Sequence, residues 1–330
     1  MSKFILKRLA MMIPVLLGVT FVIFTMMYFS PGDPAQSILG DMATEEDKQL
    51  FREENGLDQP FLVQYVNYMK GVLLRGDLGT SYTSKMPVTR DIMERFPTTF
   101  KLAGVSILIA VLIGVVSGII SAIRQYSIFD HICTVISMIG VSMPNFWQGM
   151  MMILLFAVYL KWLPPSGFST PKHWILPALT IGTSSAANIM RMTRSSMLEV
   201  IRQDYIRTAR AKGQKEWIII WKHALKNALI PVITVVGLSF GKLLGGAVVS
   251  ESVFSIAGIG KLMVEAIKTK NYPMVQGGIL FLAAVMCFVN LAVDILYAFV
   301  DPRIRSQYVQ GRKRRKGKEE QKDGQAEISD

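Results

Sequence analysis

Asp204-Tyr-Ile-Arg-Thr-Ala-Arg-Ala-Lys-Gly213 is the stretch that best indicates the fold, because it is a short basic segment between two apolar segments, residues 174–190 and 228–254. Apolar segments of about 20 residues cross the hydrocarbon core of a bilayer as helices. A basic loop between two such helices is typical of the cytoplasmic side of a membrane. The stretch therefore predicts an all-α membrane protein with a cytoplasmic surface for a partner.

The composition agrees with this class. Hydrophobic residues make up 51% of the 330-residue chain, which is too many for an ordinary soluble domain. The fourth apolar segment is short and contains Ser184, Ser185 and Asn188, so we expect neighbouring helices to shield it from lipid. Six transmembrane helices are predicted, at residues 9–29, 101–123, 132–160, 174–190, 228–254 and 277–300.

Basic residues set the expected orientation. Lys3, Lys7 and Arg8 precede the first span, which places the N-terminus in the cytoplasm, and six spans return the C-terminus to the same side. Residues 191–227 carry nine Lys and Arg against three acids, whereas residues 31–97 carry seven basic and eleven acidic residues. The net charge of +12 therefore indicates membrane topology and contact with membrane lipids rather than nucleic-acid binding.

These patterns divide the chain into four parts. They are a cytoplasmic N-terminus with the first helix (1–30), a small extracytoplasmic insertion between helices 1 and 2 (31–97), a transmembrane core (98–306) with a cytoplasmic loop (191–227), and a disordered cytoplasmic tail (307–330). The insertion contains helix-like runs at Glu45–Glu54 and Pro60–Leu74. Tyr65, Tyr68, Met69 and Leu73 recur at helical spacing, which predicts packing onto the transmembrane body.

The loop can be interpreted as a docking surface. Asp204 is expected to cap a short helix over Tyr205–Lys212, and Gly213 to end it with a positive φ angle. Small side chains would let this helix enter a groove, and its cations would pair with acids on a partner; an amphipathic helix on the inner leaflet is the alternative. The candidate contact residues are Tyr205, Arg207, Thr208, Ala209, Arg210, Ala211, Lys212 and Gly213.

Two features stand out within the spans. Gly237, Gly241 and Gly245 repeat every four residues, which predicts a smooth stripe for close helix packing. Lys242 lies among them, and an intramembrane charge normally faces a bundle interior or an aqueous cavity. We expect it to line a wet path with Asn145 and Gln148; a snorkelling lysine and an intersubunit salt bridge remain alternatives. Asp294 is expected at a different depth and is not its partner.

The sequence contains no catalytic apparatus that we recognise. A phosphate-binding loop has the form Gly, four residues, then Gly-Lys-Ser/Thr, and the nearest segment, Gly237–Leu243, has the wrong spacing and lacks the hydroxyl. Cys133 and Cys287 lie in apolar spans, and the three histidines are scattered. A non-catalytic chain without a metal or cofactor of its own is predicted.

Several separated motifs resemble one family. Ala209 and Gly213 match a pattern of Glu-Ala-Ala, three residues and Gly, although Arg207 and Thr208 replace its Glu and first Ala. The chain resembles the permease subunits of binding-protein-dependent ABC importers, in their dipeptide, oligopeptide and nickel branch, over roughly residues 1–306. The other matching stretches are Pro31–Pro34, Val141–Trp147, Arg191–Glu199 and Asp301–Arg305.

The resemblance implies a type I ABC importer-like fold in the bacterial inner membrane that works by alternating access. It implies that residues 205–213 couple the chain to ATPase subunits. Its expected partners are a paralogous permease, two ATPases that bind ATP and Mg²⁺, and an external substrate-binding protein. Dipeptides or oligopeptides are the favoured cargo, with nickel or glutathione as alternatives. An ion-driven secondary transporter, or a scaffold without transport, is the competing class; the former requires intramembrane carboxylates or inverted repeats, which we do not identify in the sequence.

Overall fold

The computed structural model describes residues 2–300, and its secondary structure there is helical apart from one isolated β-bridge between Thr80 and Pro87. The predicted tail and the Asp301–Arg305 motif lie outside the described residues. The helices are α1 (Ser2–Tyr28), α2 (Pro34–Leu39), α3 (Glu45–Glu54), α4 (Phe61–Lys70), α5 (Val88–Ile123), α6 (Ile128–Ser142), α7 (Asn145–Met152), α8 (Pro171–Ile201), α9 (Asp204–Ala211), α10 (Glu216–Ile218), α11 (Leu225–Gly246), α12 (Val248–Val253), α13 (Ile259–Lys268) and α14 (Tyr272–Val300).

Three π-helical segments continue these helices without a break. Gly71–Arg75 follows α4, Ile153–Tyr159 follows α7, and Ile219–Ala224 joins α10 to α11. The last of these makes Glu216–Gly245 one continuous span.

Four helical spans in the described chain are long and apolar enough to cross a membrane, namely Ile5–Tyr28, Val88–Ile123, Glu216–Gly245 and Tyr272–Leu296. One span was predicted over residues 132–160, but the structure forms this segment from two helices that meet at an angle. Helices α6 and α7 pass the same test only as a pair, and they bend by 108° at the break between them. Pro144 explains the break, because it lacks an amide hydrogen and holds Met143 in an extended conformation (φ −75°, ψ 129°).

Helix α8 contains the predicted fourth span, but it does not meet the same length and hydropathy test. It packs against α5, α6, α7 and α11, and Ser185 is buried. The expected shielding by neighbouring helices is therefore found. The four spans and the bent pair give up to five crossings, so the count of six remains a prediction.

Several predicted boundaries differ from the structure. The loop predicted at 191–227 is shorter, because α8 continues to Ile201 and the next long helix begins at Glu216. The span predicted at 228–254 ends earlier, because α11 stops at Gly246 and α12 is a separate helix. The fourth span was predicted to end where charged residues begin, whereas α8 carries those residues within one continuous helix.

The most extensive helix contact among the described residues lies between α5 and α8, and two glycines let the backbones approach closely there. A Cβ on Gly114 would lie 2.6 Å from the Ala186 carbonyl oxygen, and a Cβ on Gly118 would lie 2.7 Å from that of Met190. Small residues permit such backbone approach, and the approach maximises dispersion contacts in a membrane, where helices gain little from the hydrophobic effect. These glycines therefore place α8 at the centre of the bundle.

A buried ion pair fixes α6 against α8. Arg194 donates from Nε to Asp130 Oδ1 and from Nη2 to Asp130 Oδ2, both at 2.7 Å. Ser121 of α5 donates to the same carboxylate, and the Tyr126 amide donates to Oδ2 at 3.0 Å. Asp130 is 2% exposed, so the bidentate geometry and the extra donors compensate for its loss of water.

The segment between α1 and α5 packs onto α1 as predicted. The Phe24 ring lies 5.3 Å from the Tyr65 ring and 6.2 Å from the Tyr68 ring, and burial raises the pKa of Tyr68. Leu73 is 70% exposed and takes no part in this contact. Helix α3 has the bounds predicted for it, whereas α5 begins at Val88, inside the predicted insertion.

Polar contacts order the rest of this segment. Asp33 accepts from the Ala35 amide at 3.0 Å and from Arg52 Nη2 at 2.5 Å. Partial burial raises the pKa of Asp33, but the hydrogen bonds from Arg52 and Ala35 outweigh it and leave the pKa below its usual value. Asn271, at the start of α14, accepts from the Tyr82 amide at 3.0 Å. The segment thus contacts both α1 and the start of α14.

We expect Gly114→Val to destabilise the protein, because the new side chain would clash with the α8 backbone. Overpacking of this kind costs about 1–3 kcal/mol. The measurement is the thermal unfolding midpoint of the purified protein in detergent. Gly104→Val is the matched control, since nothing lies within 4 Å of a Cβ at Gly104. Equal midpoints for the two variants would contradict the assigned α5–α8 contact.

Candidate functional site

Helix α9 spans Asp204–Ala211, close to the predicted Tyr205–Lys212. The prediction that Asp204 caps this helix was wrong. Asp204 is the first helical residue, and Gln203 occupies the cap position without a side-chain hydrogen bond. The Asp204 carboxylate instead lies 3.7 Å from Arg207 Nη1 on the exposed surface, where an ion pair contributes little stability.

One residue anchors α9 to the transmembrane body. Ile206 is fully buried in a cluster with Ile119 of α5, Met197 of α8 and Ile219 of the following π-helical turn. Ala209 packs against the same cluster. The ends of three long helical segments therefore meet at α9, so a force on this helix reaches all three.

The turn after α9 has the predicted backbone geometry. Gly213 has φ +73°, its amide donates to the Arg210 carbonyl oxygen at 2.9 Å, and the Gln214 amide donates to the Ala209 carbonyl oxygen at 3.3 Å. A left-handed residue that closes a helix in this way is usually glycine, because other residues pay a steric cost there.

Side chains brace the turn against the next helix. Arg210 donates from Nε to Glu216 Oε1 at 2.7 Å and from Nη2 to Oε2 at 3.3 Å, and Asn227 donates to the Tyr205 hydroxyl at 2.7 Å. Arg210 was expected to bind a partner's acid, but the structure uses it within the chain. Of the predicted contact residues, those that remain exposed without such a brace are Arg207, Thr208, Ala211, Lys212 and Gly213.

Sequence reasoning missed a pair of tryptophans beside this turn. Trp217 and Trp221 are 65% and 50% exposed, and their ring centres lie 6.5 Å apart. Tryptophan is enriched at the membrane–water interface, and the spacing of four residues next to a basic loop was a usable signal.

Lys242 is exposed on a cavity of about 450 Å³ between α8 and α11. The structure does not bring Lys242 together with Asn145 and Gln148 as predicted, since neither of these two residues lines this cavity. Asp294 was expected not to pair with Lys242. Its Oδ2 atom lies 3.1 Å from Arg8 Nη1, so it forms its ion pair with Arg8 instead. The lining residues are Asn188, Arg191, Met192, Ser195, Val235, Leu238, Ser239 and Lys242.

Asn145 and Gln148 lie together at the start of α7, directly after the Pro144 bend. Gln148 is buried and donates from Nε2 to Thr183 Oγ1 at 2.9 Å. Its Oε1 atom has no hydrogen-bond partner among the described residues. An unpaired polar atom in a buried position is a candidate for contact with water or a passing solute.

The glycine stripe of α11 divides into three environments. A Cβ on Gly237 would lie 2.2 Å from Val293 Cγ2 of α14, whereas a Cβ on Gly241 would make only ordinary contacts with that helix. Gly245 has nothing within 4 Å. Close packing therefore involves the first glycine most strongly, and the last one borders open space.

Sequence reasoning also missed Glu251, although it lies inside a predicted span. Its side chain is fully buried. Thr99 donates from Oγ1 to Oε1 at 2.7 Å, and the Lys261 amide donates to Oε2 at 3.1 Å. A Cβ on Gly258 would lie 2.3 Å from the carboxylate. The carboxyl group thus lies at the N-terminal end of α13, where it accepts a hydrogen bond from a backbone amide that has no partner within the helix.

Metal ligands do not cluster in the part of the chain that the structure describes, where no group of three or more His, Cys, Asp and Glu comes together. Cys133 and Cys287 are both free and half-buried.

Comparison with family models gives two matches that together cover most of the chain. Residues 114–306 match the model described as the inner membrane component of binding-protein-dependent transport systems. Residues 1–103 match the model for the N-terminal part of the membrane component of such systems.

Curated relatives match over nearly their whole length. The dipeptide transport system permease protein DppB of Alkalihalophilus pseudofirmus is 44% identical over 92% of this chain and 100% of its own length. The protein of the same name from Escherichia coli K12 is 40% identical over 92% of this chain and 99% of its own. The glutathione transport system permease protein GsiC of Salmonella choleraesuis is 42% identical over 92% of this chain and 99% of its own.

A solved structure of the MetNI methionine ABC transporter, in an inward-facing conformation, has a similar fold. It aligns with a TM-score of 0.53 at 19% sequence identity, and the match covers 64% of this chain and 96% of that one.

We expect Glu251→Ala to destabilise the protein, because it would leave the Thr99 hydroxyl and the Lys261 amide without their acceptor. A buried group left unpaired costs about 1–3 kcal/mol. The unfolding midpoint in detergent measures the loss. Glu265→Ala removes an exposed acid from the neighbouring helix α13 and should change the midpoint little. A similar midpoint for both variants would contradict the assigned role of Glu251.

Proposed function

This chain belongs to the family of inner-membrane components of binding-protein-dependent transport systems, in its dipeptide and oligopeptide branch, and from that membership we propose that it is the transmembrane permease subunit of an ATP-driven importer of dipeptides or oligopeptides. As a multi-pass inner-membrane protein, it would move substrate from an external binding protein into the cytoplasm by alternating access. The ion-driven transporter and the scaffold do not fit this membership. Glutathione, a peptide, is the second candidate cargo because GsiC proteins are 42% identical; nickel is the remaining alternative.

The exposed turn at Gly213 carries the proposal. Helix α9 projects a slim basic surface, while Ile206 joins it to the ends of α5, α8 and the span that begins at Glu216. This combination suits a helix that inserts into a groove on a moving partner and transmits the movement. We assign the contact with the ATPase to residues 205–213, in which Arg207 and Lys212 face acids of the partner and Arg210 holds the turn.

The partners follow from this role. Two ATPase subunits bind ATP and Mg²⁺ and hydrolyse the nucleotide, whereas this chain is non-catalytic. A paralogous permease completes the membrane body, and an external binding protein delivers the cargo. Membrane lipids surround the apolar spans, and Trp217 and Trp221 lie at the level of the headgroups.

Polar groups within the membrane would form parts of the translocation path. Lys242 is exposed on a cavity, and Gln148 has an unpaired buried oxygen. Asn145 lies one turn from Gln148, at the bend where Pro144 interrupts the helix. Gly237 and Gly241 are assigned to helix packing, with Gly237 in the closer contact, whereas Gly245, predicted as the third packing glycine, has nothing within 4 Å of a Cβ.

We expect Gly213→Leu to uncouple ATP hydrolysis from transport, because a β-carbon disfavours the left-handed conformation by about 1–2 kcal/mol. The α9 surface would then be presented at the wrong angle. Uptake and substrate-stimulated ATP hydrolysis of the reconstituted complex should fall about tenfold, the factor that corresponds to about 1.4 kcal/mol.

Gly213→Asn is the matched control, since asparagine is close to leucine in size but tolerates the left-handed region. It should retain most of the activity. Normal uptake by the leucine variant would remove the reason for assigning this turn to coupling, and equal loss in both variants would show that size rather than backbone conformation matters.

We expect both termini and the α9 loop to lie in the cytoplasm. The four apolar spans, the α6–α7 pair and α8 would together make six crossings, which return the chain to the side on which it begins. A cysteine at Thr208 or in the 307–330 tail should resist an impermeant thiol reagent added to intact cells, and a cysteine at Ser37 should react. Labelling of the tail from outside would refute the six-span arrangement.

A further inference from the structure

The cavity between α8 and α11 has the features of a small binding site. Its volume of about 450 Å³ lies in the range of ligand pockets, about 300–1,000 Å³. Apolar walls are provided by Met192, Val235 and Leu238, and polar groups by Asn188, Ser195 and Ser239. A few convergent polar groups on apolar walls are typical of a pocket that orients a small solute.

Two cations share this cavity without an acid among its lining residues. Arg191 and Lys242 are both exposed, and within residues 2–300 neither forms an ion pair. Arg191 donates from Nη2 to Asn188 Oδ1 at 2.6 Å. This bond orients the guanidinium group, and its remaining donors are available to an anion.

The position of Arg191 within a long helix makes the unpaired charge informative. Arg191 lies ten residues before the end of α8 at Ile201, which is about 15 Å along the helix axis. A cation inside a membrane protein's helical bundle normally faces the bundle interior or an aqueous cavity. Two cations that repel each other require water or an anion beside them, which argues against lipid at this face of α8 and α11.

We propose that Arg191 and Lys242 form a carboxylate-binding subsite on the translocation path. A guanidinium group binds a carboxylate through two parallel hydrogen bonds, and an ammonium group adds a point charge. Ser195 and Ser239 supply hydroxyl donors at the same cavity. Gly245, one turn beyond Lys242, borders open space.

The identity of the anion as the terminal carboxylate of a peptide rests on the proposed function. Every linear peptide carries a terminal carboxylate regardless of its side chains, and a subsite for this group would hold diverse peptides in the same orientation. The charge of the cavity itself does not depend on that assignment. The two statements can therefore be tested separately.

The charge of the cavity is tested by thiol labelling of the reconstituted complex. Ser195→Cys is introduced after Cys133 and Cys287 are replaced by alanine, and its reaction rates with an anionic and a cationic methanethiosulfonate reagent are compared. We expect the anionic reagent to be favoured about tenfold or more, as for a cleft lined by one sign of charge. Ser166→Cys, an exposed position outside the cavity, should show the ratio of a simple thiol.

Charge-neutral variants identify the groups responsible. Arg191→Gln and Lys242→Gln should each lower the preference for the anionic reagent, and Lys172→Gln, which removes an exposed cation outside the cavity, should leave it unchanged. A thiol at position 195 that is unreactive, or that shows no preference, would overturn the proposal. No preference would show that an acid of the partner permease neutralises the pair.

Protection by ligands tests the identity of the anion. Alanyl-alanine should slow the anionic labelling of Ser195→Cys, whereas alanyl-alaninamide, which lacks the carboxylate, should not. Equal protection by both compounds would overturn the carboxylate assignment. If the wild-type complex takes up no peptide but acetate still protects the thiol, the proposed cargo is wrong and the anion site stands. If uptake is normal and no carboxylate protects, the subsite is wrong and the function stands.

Discussion

The close approach of α5 and α8 is the contact on which the rest of the fold depends. Gly114 and Gly118 bring the two backbones together, and α8 then lies among α5, α6, α7 and α11. A helix with Arg191 and Arg194 in its second half cannot face hydrocarbon without a large cost. Burial at the centre solves this problem, because Arg194 finds Asp130 and Arg191 faces the cavity shared with α11.

A second constraint acts where the chain passes from α11 to α14. Glu251 accepts hydrogen bonds from a hydroxyl of α5 and from an amide at the start of α13, so a single carboxylate holds three helices together. Gly258 and Gly260 leave room for it, since a Cβ at either position would lie within 3 Å of a carboxylate oxygen. The turn between α12 and α13 is therefore shaped around this side chain.

Features with local causes were predictable from the sequence. Helix α3 has its predicted bounds and begins at a capping box of Thr44 and Asp47 that was not predicted. The left-handed turn at Gly213 was predicted correctly. Features with distant causes were not. Glu251 lies 152 residues from its partner Thr99, and no local pattern connects them. Hydropathy identified an apolar segment at 132–160 but gave no information on its direction, which Pro144 reverses in part. Arg191 was assigned to a loop, whereas the structure places it within α8, beside a cavity shared with α11.

The π-helical turn at Ile219–Ala224 has a consequence for the geometry of the whole span. Such a turn accommodates one more residue than an α-helical turn, and each residue of an α-helix rotates the side-chain direction by about 100°. The extra residue lies between the Gly213 turn and α11, so it sets the angular register of α11 relative to that turn. A regular α-helix over the same residues would rotate the Lys242 side chain about the helix axis by about 100° relative to the turn. The rotational phase of the span is thus determined near its start at Glu216, far from the cavity that depends on it.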